Sequence, residues 1–402
     1  MANNVWGTKK YNDLVALRAA EVGSYLTVCS DSRLADQLVG KRNDINDMEF
    51  VVRDAGKYVK GKDITGQSSN LVERKVKMSS FYGNVMIDTD YVEAVTDVNW
   101  DKEIAIPNGK ALVEGLVQDV IDNDLGRQNT AFVGVGFLPL TKADAFLRSI
   151  TSEERHGFID PQIDSIVSAA GKAFTPVDAE PLYKKGMMGK MGTVEYHEQQ
   201  FLPSLEISKD LENALSTATV TSYTQGATAD VIQTSVGEVI PKGTPLFIEG
   251  VYATNLVGNK TSSLKAFIAI EDSVDGAVKV RPVDFAGQGT KEAIFADKTN
   301  VTAAGLAGKK LVNGLKEGSY FTGIIRAKGS FEFDALKKQD WSNADLTSDS
   351  VEGVIVHTAR AVNVEAGTNK TRWAIVALAQ TVEPRAATYV CIKDATANLV
   401  AM

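Results

Sequence analysis

His156, His197 and His357 are the only histidines in the chain, so any serine- or cysteine-based triad has to draw on one of them. His197-Glu198 begins like the zinc-protease pattern His-Glu-x-x-His, in which two imidazoles one helical turn apart hold the metal and the glutamate acts as base. Phe201 stands where the second histidine belongs, and the pair falls at the end of an expected strand. It reads as a surface His-Glu pair instead of a zinc site. Gly186, Gly189 and Gly192 form a G-x-x-G-x-x-G run. A dinucleotide loop needs G-x-G-x-x-G between a strand and a helix, whereas this run leads into an expected strand at 194–196. Met187, Met188 and Met191, interspersed among the glycines, point to close backbone packing with adaptable apolar filler.

Other chemistries fail on spacing. No G-x-S-x-G elbow is present, and Gly171-Lys172 is followed by Ala173 with no partner glycine upstream, so there is no phosphate-cradling P-loop. Asp160 and Asp164 lie four apart at the start of an expected helix, where carboxylates match the helix dipole. Carboxylate pairs for glycoside hydrolysis meet in space and leave no sequence pattern. The expectation is a chain with no catalytic residues, no metal and no cofactor.

Composition agrees with a binding or structural role. The 402 residues are 44% hydrophobic and 23% charged, within the ordinary range of globular proteins. Net charge is -8 with no Lys/Arg block, which argues against a protein that grips nucleic acid through many phosphates. Met1-Ala2-Asn3-Asn4 is polar and no apolar stretch follows it, so no signal peptide is expected. The strongest apolar runs, at 131–140 and 373–379, fall well short of the ~20 residues that span a bilayer. Cys29 and Cys391 are too few for a disulfide framework and read as reduced thiols.

The elements that would position these residues change character along the chain. Leu14, Leu17, Arg18, Val22, Tyr25 and Leu26 recur at helical spacing within 10–40, with Asn12 or Asp13 as cap. Val72, Arg74, Val76 and Met78 alternate, a polar turn at 79–84 follows, and Val85, Ile87, Thr89 and Tyr91 alternate again. The simplest reading is a two-stranded antiparallel ribbon. A ten-residue arm of this kind reaches about 33 Å, and alone it is marginal in water, so it needs a surface to lie on. Leu112, Val113, Leu116, Val117, Val120, Ile121 and Leu125 form a continuous apolar stripe closed by Gly126, predicting a helix over 108–125.

Beyond it, a strand at 132–135, a helix opened by Thr141 and running to Leu147, a helix at 161–170 and the strand at 194–196 alternate. Residues 219–310 hold short β segments at 231–234, 245–251, 266–270 and 278–283 with Gly, Thr and Asp turns, the composition of a small β-barrel or sandwich. Strands at 319–327, 351–360 and 372–379 return to a larger sheet. No solenoid or heptad repeat appears.

Taken in order, these segments resemble the major capsid (coat) protein of tailed bacteriophages, and within it the podophage coat type with an inserted β-barrel. Residues 71–125 look like that family's extended loop running into its spine helix. Tyr183-Lys184-Lys185-Gly186-Met187-Met188-Gly189, continuing through Gly192 to Phe201-Leu202-Pro203, is similar to its glycine-rich approach to a strand. Ile240-Pro241-Lys242-Gly243-Thr244-Pro245-Leu246-Phe247-Ile248-Glu249-Gly250-Val251 is similar to the opening of the inserted barrel. Arg372-Trp373-Ala374-Ile375-Val376 followed by Glu383-Pro384 resembles the closing strand.

The resemblance implies an α+β Johnson fold in five parts: an N-terminal arm at 1–50, an extended hairpin loop at 51–103, and the spine helix with the first part of a mixed α/β body at 104–218. The inserted barrel at 219–310 and the remainder of the body at 311–402 complete it. It further implies self-assembly into the hexamers and pentamers of an icosahedral shell around double-stranded DNA, with packaged DNA touched only weakly. Portal, scaffolding and decoration proteins would be the partners, no membrane would be involved, and assembly would take place in the host bacterial cytoplasm. The expected intersubunit contacts are Val72, Arg74, Val76, Met78, Phe81, Tyr82, Val85, Ile87 and Tyr91. A tail-tube component or surface adhesin is the alternative; it accounts for the Gly/Thr-rich strands but not for the helix at 108–125. A hydrolase without a sequence signature is a third reading.

Overall fold

In the computed structural model the described residues are 24–29, 48–53, 71–76, 80–89, 106–163, 166, 190–226, 229–256, 259–283, 305–335, 345–351, 354–363 and 368–394. The chain runs through a helical turn α1 (Ser24–Thr27), strands β1 (Met48–Arg53), β2 (Leu71–Val76) and β3 (Ser80–Thr89), and the long helix α2 (Ile106–Asp124). Strand β4 (Thr130–Val135), helix α3 (Leu138–Ile150) and strands β5 (Arg155–Ile159), β6 (Lys190–Met191), β7 (Val194–Glu198) and β8 (Leu205–Ile207) follow. Helix α4 (Lys209–Thr217) leads to β9 (Val220–Thr224), β10 (Asp230–Thr234), β11 (Pro245–Thr254), β12 (Lys260–Ile268), β13 (Ala277–Val280) and β14 (Leu311–Val312). The chain closes through β15 (Gly318–Ala327), β16 (Phe331–Ala335), β17 (Asp345–Val351), β18 (Val354–Asn363), β19 (Thr368–Thr381) and β20 (Ala387–Lys393).

These residues divide into two compact units. The first takes described residues within 1–50, 75–120 and 331–380, the second those within 51–74, 121–330 and 381–402. In the first unit β19 is the central strand of a five-stranded sheet, ordered β16-β19-β18-β17 with β3 also paired to β19. The β3 ladder is antiparallel and unbroken from Thr89↔Thr368 to Ser80↔Ala377. Ile375, Ala377, Phe331 and Phe333 are buried in this unit, and Tyr25 meets Phe331 edge-on at 6.0 Å between centroids. The stripe Leu112, Val113, Leu116, Val117 and Val120 is buried while Gly115, Gln118 and Asp119 between them are exposed, which is the amphipathic pattern that made the helix readable.

The expected ribbon is corrected here. Among the described residues β2 and β3 do not pair with each other: β2 pairs with β1, and β3 with β19. The physical reason is the marginal stability of an isolated two-stranded ribbon; β3 gains a ten-residue ladder by joining a larger sheet. Met78, beside the expected turn, and Tyr91, at the far end of the expected ribbon, lie outside the described residues, as do most of the helical pattern at 10–40 and the helix at 161–170 beyond Ile163, apart from Ile166.

The second unit is built on a seven-stranded mixed sheet, β4-β20-β15-β5-β7-β6, with β8 continuing beside β15. The pairs β4–β20 and β5–β7 are parallel, the others antiparallel. Because successive side chains alternate between faces, each strand divides its residues cleanly. Ile325 of β15, Ile159 of β5, Val194 and Tyr196 of β7, and Val390 and Ile392 of β20 pack with Leu140, Ala143, Phe146 and Leu147 of α3 in one apolar cluster. Gly157 makes room for this: a Cβ there would stand 2.5 Å from the Tyr196 ring. Helix α3 starts earlier than expected, at Leu138 with Pro139 in its first turn. Thr141 is not its cap; its hydroxyl donates back to the Phe137 carbonyl at 3.1 Å.

The segment expected as a closed barrel forms, among the described residues, two three-stranded antiparallel sheets, β13-β10-β9 and β12-β11-β14. A bridge between Thr219 and Lys310, with Val220 N–H donating to the Lys309 carbonyl, connects them at one end. The module is stitched to the body. The Asn129 amide donates to the carbonyls of Thr254 (2.7 Å) and Arg385 (3.1 Å), and the Thr130 hydroxyl donates to the Leu264 carbonyl.

Helix α2 ends where the sequence places its glycine. Gly126 has φ +90°, open to glycine and strained for other residues. Arg281, from the end of β13, donates to the last-turn carbonyls of Asp122 (2.8 Å) and Leu125 (3.3 Å), and the Lys242 ammonium pairs with Asp122 at 2.6 Å. Both cations belong to this β module and sit at the negative end of the helix dipole. Asp124 turns inward instead, pairing with Arg326 of β15 at 3.4 Å and accepting a hydrogen bond from the Thr381 hydroxyl. Side-chain exposure is 4% for Asp124 and 1% for Arg326, so removing one partner strands a buried charge. Asp124→Ala is expected to destabilise the chain by roughly 3–5 kcal/mol, and the double change Asp124→Leu/Arg326→Met by less than that, measured by chemical denaturation followed by circular dichroism.

Candidate functional site

The face of the body sheet opposite α3 carries the polar chemistry. Register places His156 of β5 opposite Glu195 of β7 in the parallel ladder and opposite Arg326 of β15 in the antiparallel one. His197, two residues beyond Glu195, shares that face. The result is a row in which His156 Nδ1 stands 3.3 Å from His197 Nε2, one imidazole donating to the other, and 3.9 Å from a Glu195 carboxylate oxygen. Phe158 stacks on the His197 ring at 5.5 Å and 24° between planes, and the Arg326 guanidinium lies 4.9 Å over the same phenylalanine.

Burial dominates the electrostatics of this row. Desolvation lowers the pKa of His156 despite the opposing pull of Glu195 and Glu154; His197 is lowered by desolvation and then by the neighbouring His156. Both imidazoles are thereby biased toward the neutral form, the form that binds metals. Glu195 itself keeps 56% of its side chain exposed, so the row opens to solvent at that end.

The other sequence candidates resolve into structure. His197 is not part of a surface pair with Glu198; it is half-buried against His156 and Phe158, while Glu198 is exposed. Gly192 opens the two-residue turn between β6 and β7 with φ +63°, and Thr193 beside it donates to Asp144 of α3 at 2.7 Å. Arg155 donates to the same carboxylate at 3.1 Å, so this end of the glycine run is a turn clamped to α3. Gly186 and Gly189 lie outside the described residues. Asp160 accepts from the Gln162 N–H at 2.8 Å, capping the helical turn that begins at Pro161. Asp164 lies outside the described residues. His357 is on β18 of the first unit, paired with Ser348 and Ala374 in its ladders. Cys29 and Cys391 are buried free thiols, and burial pushes the Cys391 thiol well up, away from a reactive thiolate.

Of the expected contact residues, Val72, Arg74 and Val76 lie on β2, and Phe81, Tyr82, Val85 and Ile87 on β3. Phe81, Val85 and Ile87 share a parity, opposite Val376, Arg372 and Lys370 of β19, and Tyr82 falls on the other. No helix among the described residues is long and apolar enough to cross a membrane.

One buried cation was missed by sequence reasoning. Lys265 of β12 is 2% exposed, and its ammonium donates to the Gln128 carbonyl at 2.6 Å, fastening the β module beside the end of α2. Nothing in the local pattern of β12 marks this lysine as inward-facing.

No protein-family model matches the chain, and no curated protein matches it. Among solved structures it is similar to a chain of Mycobacterium phage Che8 at 7% identity, covering 90% of this chain and 89% of that one with a TM-score of 0.47. It is similar to the capsid structure of the cyanophage P-SCSP1u at 11% identity, covering 87% and 84%, TM-score 0.41. It is also similar to the acidic stable capsid structure of the Helicobacter pylori bacteriophage KHP30 at 9% identity, covering 88% and 86%, TM-score 0.43.

Burial lowers the Lys265 pKa to about 7 from an ordinary 10.5. The folded chain therefore binds fewer protons than the unfolded chain between about pH 7 and 10.5, and stability rises with pH across that window. Below it both states are protonated and the full desolvation penalty remains. Lys265→Met is expected to raise the melting temperature at pH 6–7 and to flatten the rise between pH 7 and 10, as read by thermal melts at several pH values.

Proposed function

We propose that this chain is the major capsid protein of a tailed bacteriophage, of the podophage coat type, assembling with copies of itself into an icosahedral shell of hexamers and pentamers around double-stranded DNA. The observation that carries this reading is the order of elements along the chain. The stretches that resemble the coat family fall on discrete elements in the required succession. Residues 71–125 contain β2, β3 and α2; the end of the glycine-rich stretch enters β6 and β7; residues 240–251 lead into β11; and 372–376 lie within β19. A β-rich module stands between α4 and β15, and this reading takes it as the family's insertion.

The physics of a shell supports the same reading. Shell subunits are held by many modest contacts that sum through closed symmetry. Strands β2 and β3, set outside the body sheet, supply the segment that such contacts need, with Val72, Arg74, Val76, Phe81, Tyr82, Val85 and Ile87 as the touching residues. Net charge of -8 suits an inner wall that does not clamp packaged DNA. Scaffolding, portal and decoration proteins are the partners this role brings, with the virion as destination after assembly in the bacterial cytoplasm.

Electron microscopy of the purified, overexpressed chain tests the proposal. Shells, or rings of five and six subunits, are the expected particles; clean monomers at high concentration would sink it. The contact segment is tested with Val72→Asp/Val76→Asp on β2. This variant is expected to stay folded by circular dichroism and to sediment as monomer; assembly at the wild-type level would rule β2 out as a contact.

A further inference from the structure

The row on the open face of the body sheet has the makings of a metal site. Three potential ligands, His156, Glu195 and His197, offer their donor atoms within 4.8 Å of one another. All three lie on two strands fixed by a parallel ladder, His156↔Glu195 and Phe158↔His197, so the spacing is set by backbone hydrogen bonds and not by flexible loops. Tetrahedral zinc with nitrogen ligands at 2.0–2.1 Å requires about 3.3–3.4 Å between the two nitrogens; His156 Nδ1 and His197 Nε2 stand 3.3 Å apart. Glu195, at 3.9 Å from His156 Nδ1 and 56% exposed, needs only a side-chain rotation to bring its oxygen to the same separation.

The surroundings favour a cation there. His156 is buried to 8% exposure, and Phe158 stacked on His197 holds that ring's plane. Arg326, opposite His156 across the β5–β15 ladder, is paired with Asp124, while it and Lys328 still place positive charge near His156, which Glu195 and Glu154 oppose. The carboxylate supplies one negative charge, and the half-exposed end of the row leaves room for water in the remaining position.

We infer that His156, His197 and Glu195 form a binding site for a divalent transition cation of the zinc class, with two imidazole nitrogens, one carboxylate oxygen and an open position for water. Such a site ties β7 to β5 near the edge of the body sheet. The inference is independent of the capsid reading, since it rests on the geometry of the second unit alone.

The test uses the full chain carrying no histidine tag, stripped with chelator, loaded with excess zinc chloride, desalted and analysed by plasma mass spectrometry. About one zinc per chain is expected, together with a rise in melting temperature on zinc addition and, with Co2+ in its place, the visible absorption of tetrahedral cobalt. His197→Ala is expected to lose the retained zinc. Glu195→Gln, at an exposed position that leaves the fold intact, is expected to weaken zinc affinity at least about tenfold, since changing even an outer-shell partner costs 10–100-fold. His357→Ala, on the other unit, should behave as wild type. A wild-type chain that retains no zinc would show the row to be an imidazole pair sharing a hydrogen bond. Equal retention by wild type and His197→Ala would place any bound zinc elsewhere; either result overturns the site.

Discussion

The buried pair between Asp124 and Arg326 is the constraint around which the second unit is arranged. Arg326 occupies the middle strand of the body sheet, with β5 on one side and β20 on the other, and its guanidinium leaves the sheet on the face opposite α3. A charge placed there requires a counter-charge, because the desolvation penalty of an unpaired buried ion runs to several kcal/mol. The last residue of α2 supplies it, and the Thr381 hydroxyl at the end of β19 donates to the same carboxylate. One side chain thus joins the last residue of the long helix to the middle strand of the body sheet. Apolar packing could stabilise this region as well or better, but it would not dictate which residue of α2 lies over which residue of β15.

The β module between α4 and β15 meets part of the same requirement at the helix terminus. Helix ends leave four carbonyls without intrahelical partners; at the end of α2 those of Asn123 and Asp124 accept locally from the Arg127 and Gln128 side chains, while Arg281 of the module serves Asp122 and Leu125, and Lys265 that of Gln128 in the turn beyond. Asn129, next in line, returns the link by donating to Thr254. Ala253 of β11 is part of the same apolar cluster as α3. Contacts of this kind are buried and specific. On them the module is a part of the body's folding unit, and a loss at Arg281 or Lys265 is felt at the helix and in the module together.

Legibility in the sequence tracked the range of the interaction that determines each feature. Helix α2 was read nearly to the residue because its stripe and its Gly126 are local, and the strands β7, β10, β15 and β19 showed as short β-rich segments between turns. Pairing partners did not. The polar turn at 79–84 made β2 and β3 look like neighbours, yet β3 belongs with a strand almost 300 residues downstream in register Thr89↔Thr368, and alternation says nothing about which strand a face will meet. Thr141 had the right chemistry for a cap, but Pro139 already opens the helix two residues earlier. The His156–His197 row was invisible for the same reason: 41 residues separate the two, and only the β5–β7 ladder makes them adjacent. Reading His197 beside Glu198 looked for the partner along the chain, while the partner lies across the sheet.

The division of the body sheet into two unlike faces bears on what the second face is for. The α3 face is largely apolar and is covered by α3, with Ile163, Ile166 and Ala253 completing the same cluster. The opposite face carries His156, Glu195, His197 and Arg326, groups that cost free energy to bury and contribute less to stability than valine or leucine would. Their arrangement is ordered by register, with His156 opposite Glu195 and Arg326 across its two ladders and His197 opposite Phe158, which touches both His197 and Arg326. A pair of imidazoles with pKa values lowered by burial, one carboxylate open to solvent and a guanidinium paired with Asp124 together form a surface whose Glu195 end suits a cation. Stability alone does not account for such a row; recognition does, and the spacing of the two ring nitrogens fits a metal ion of zinc size.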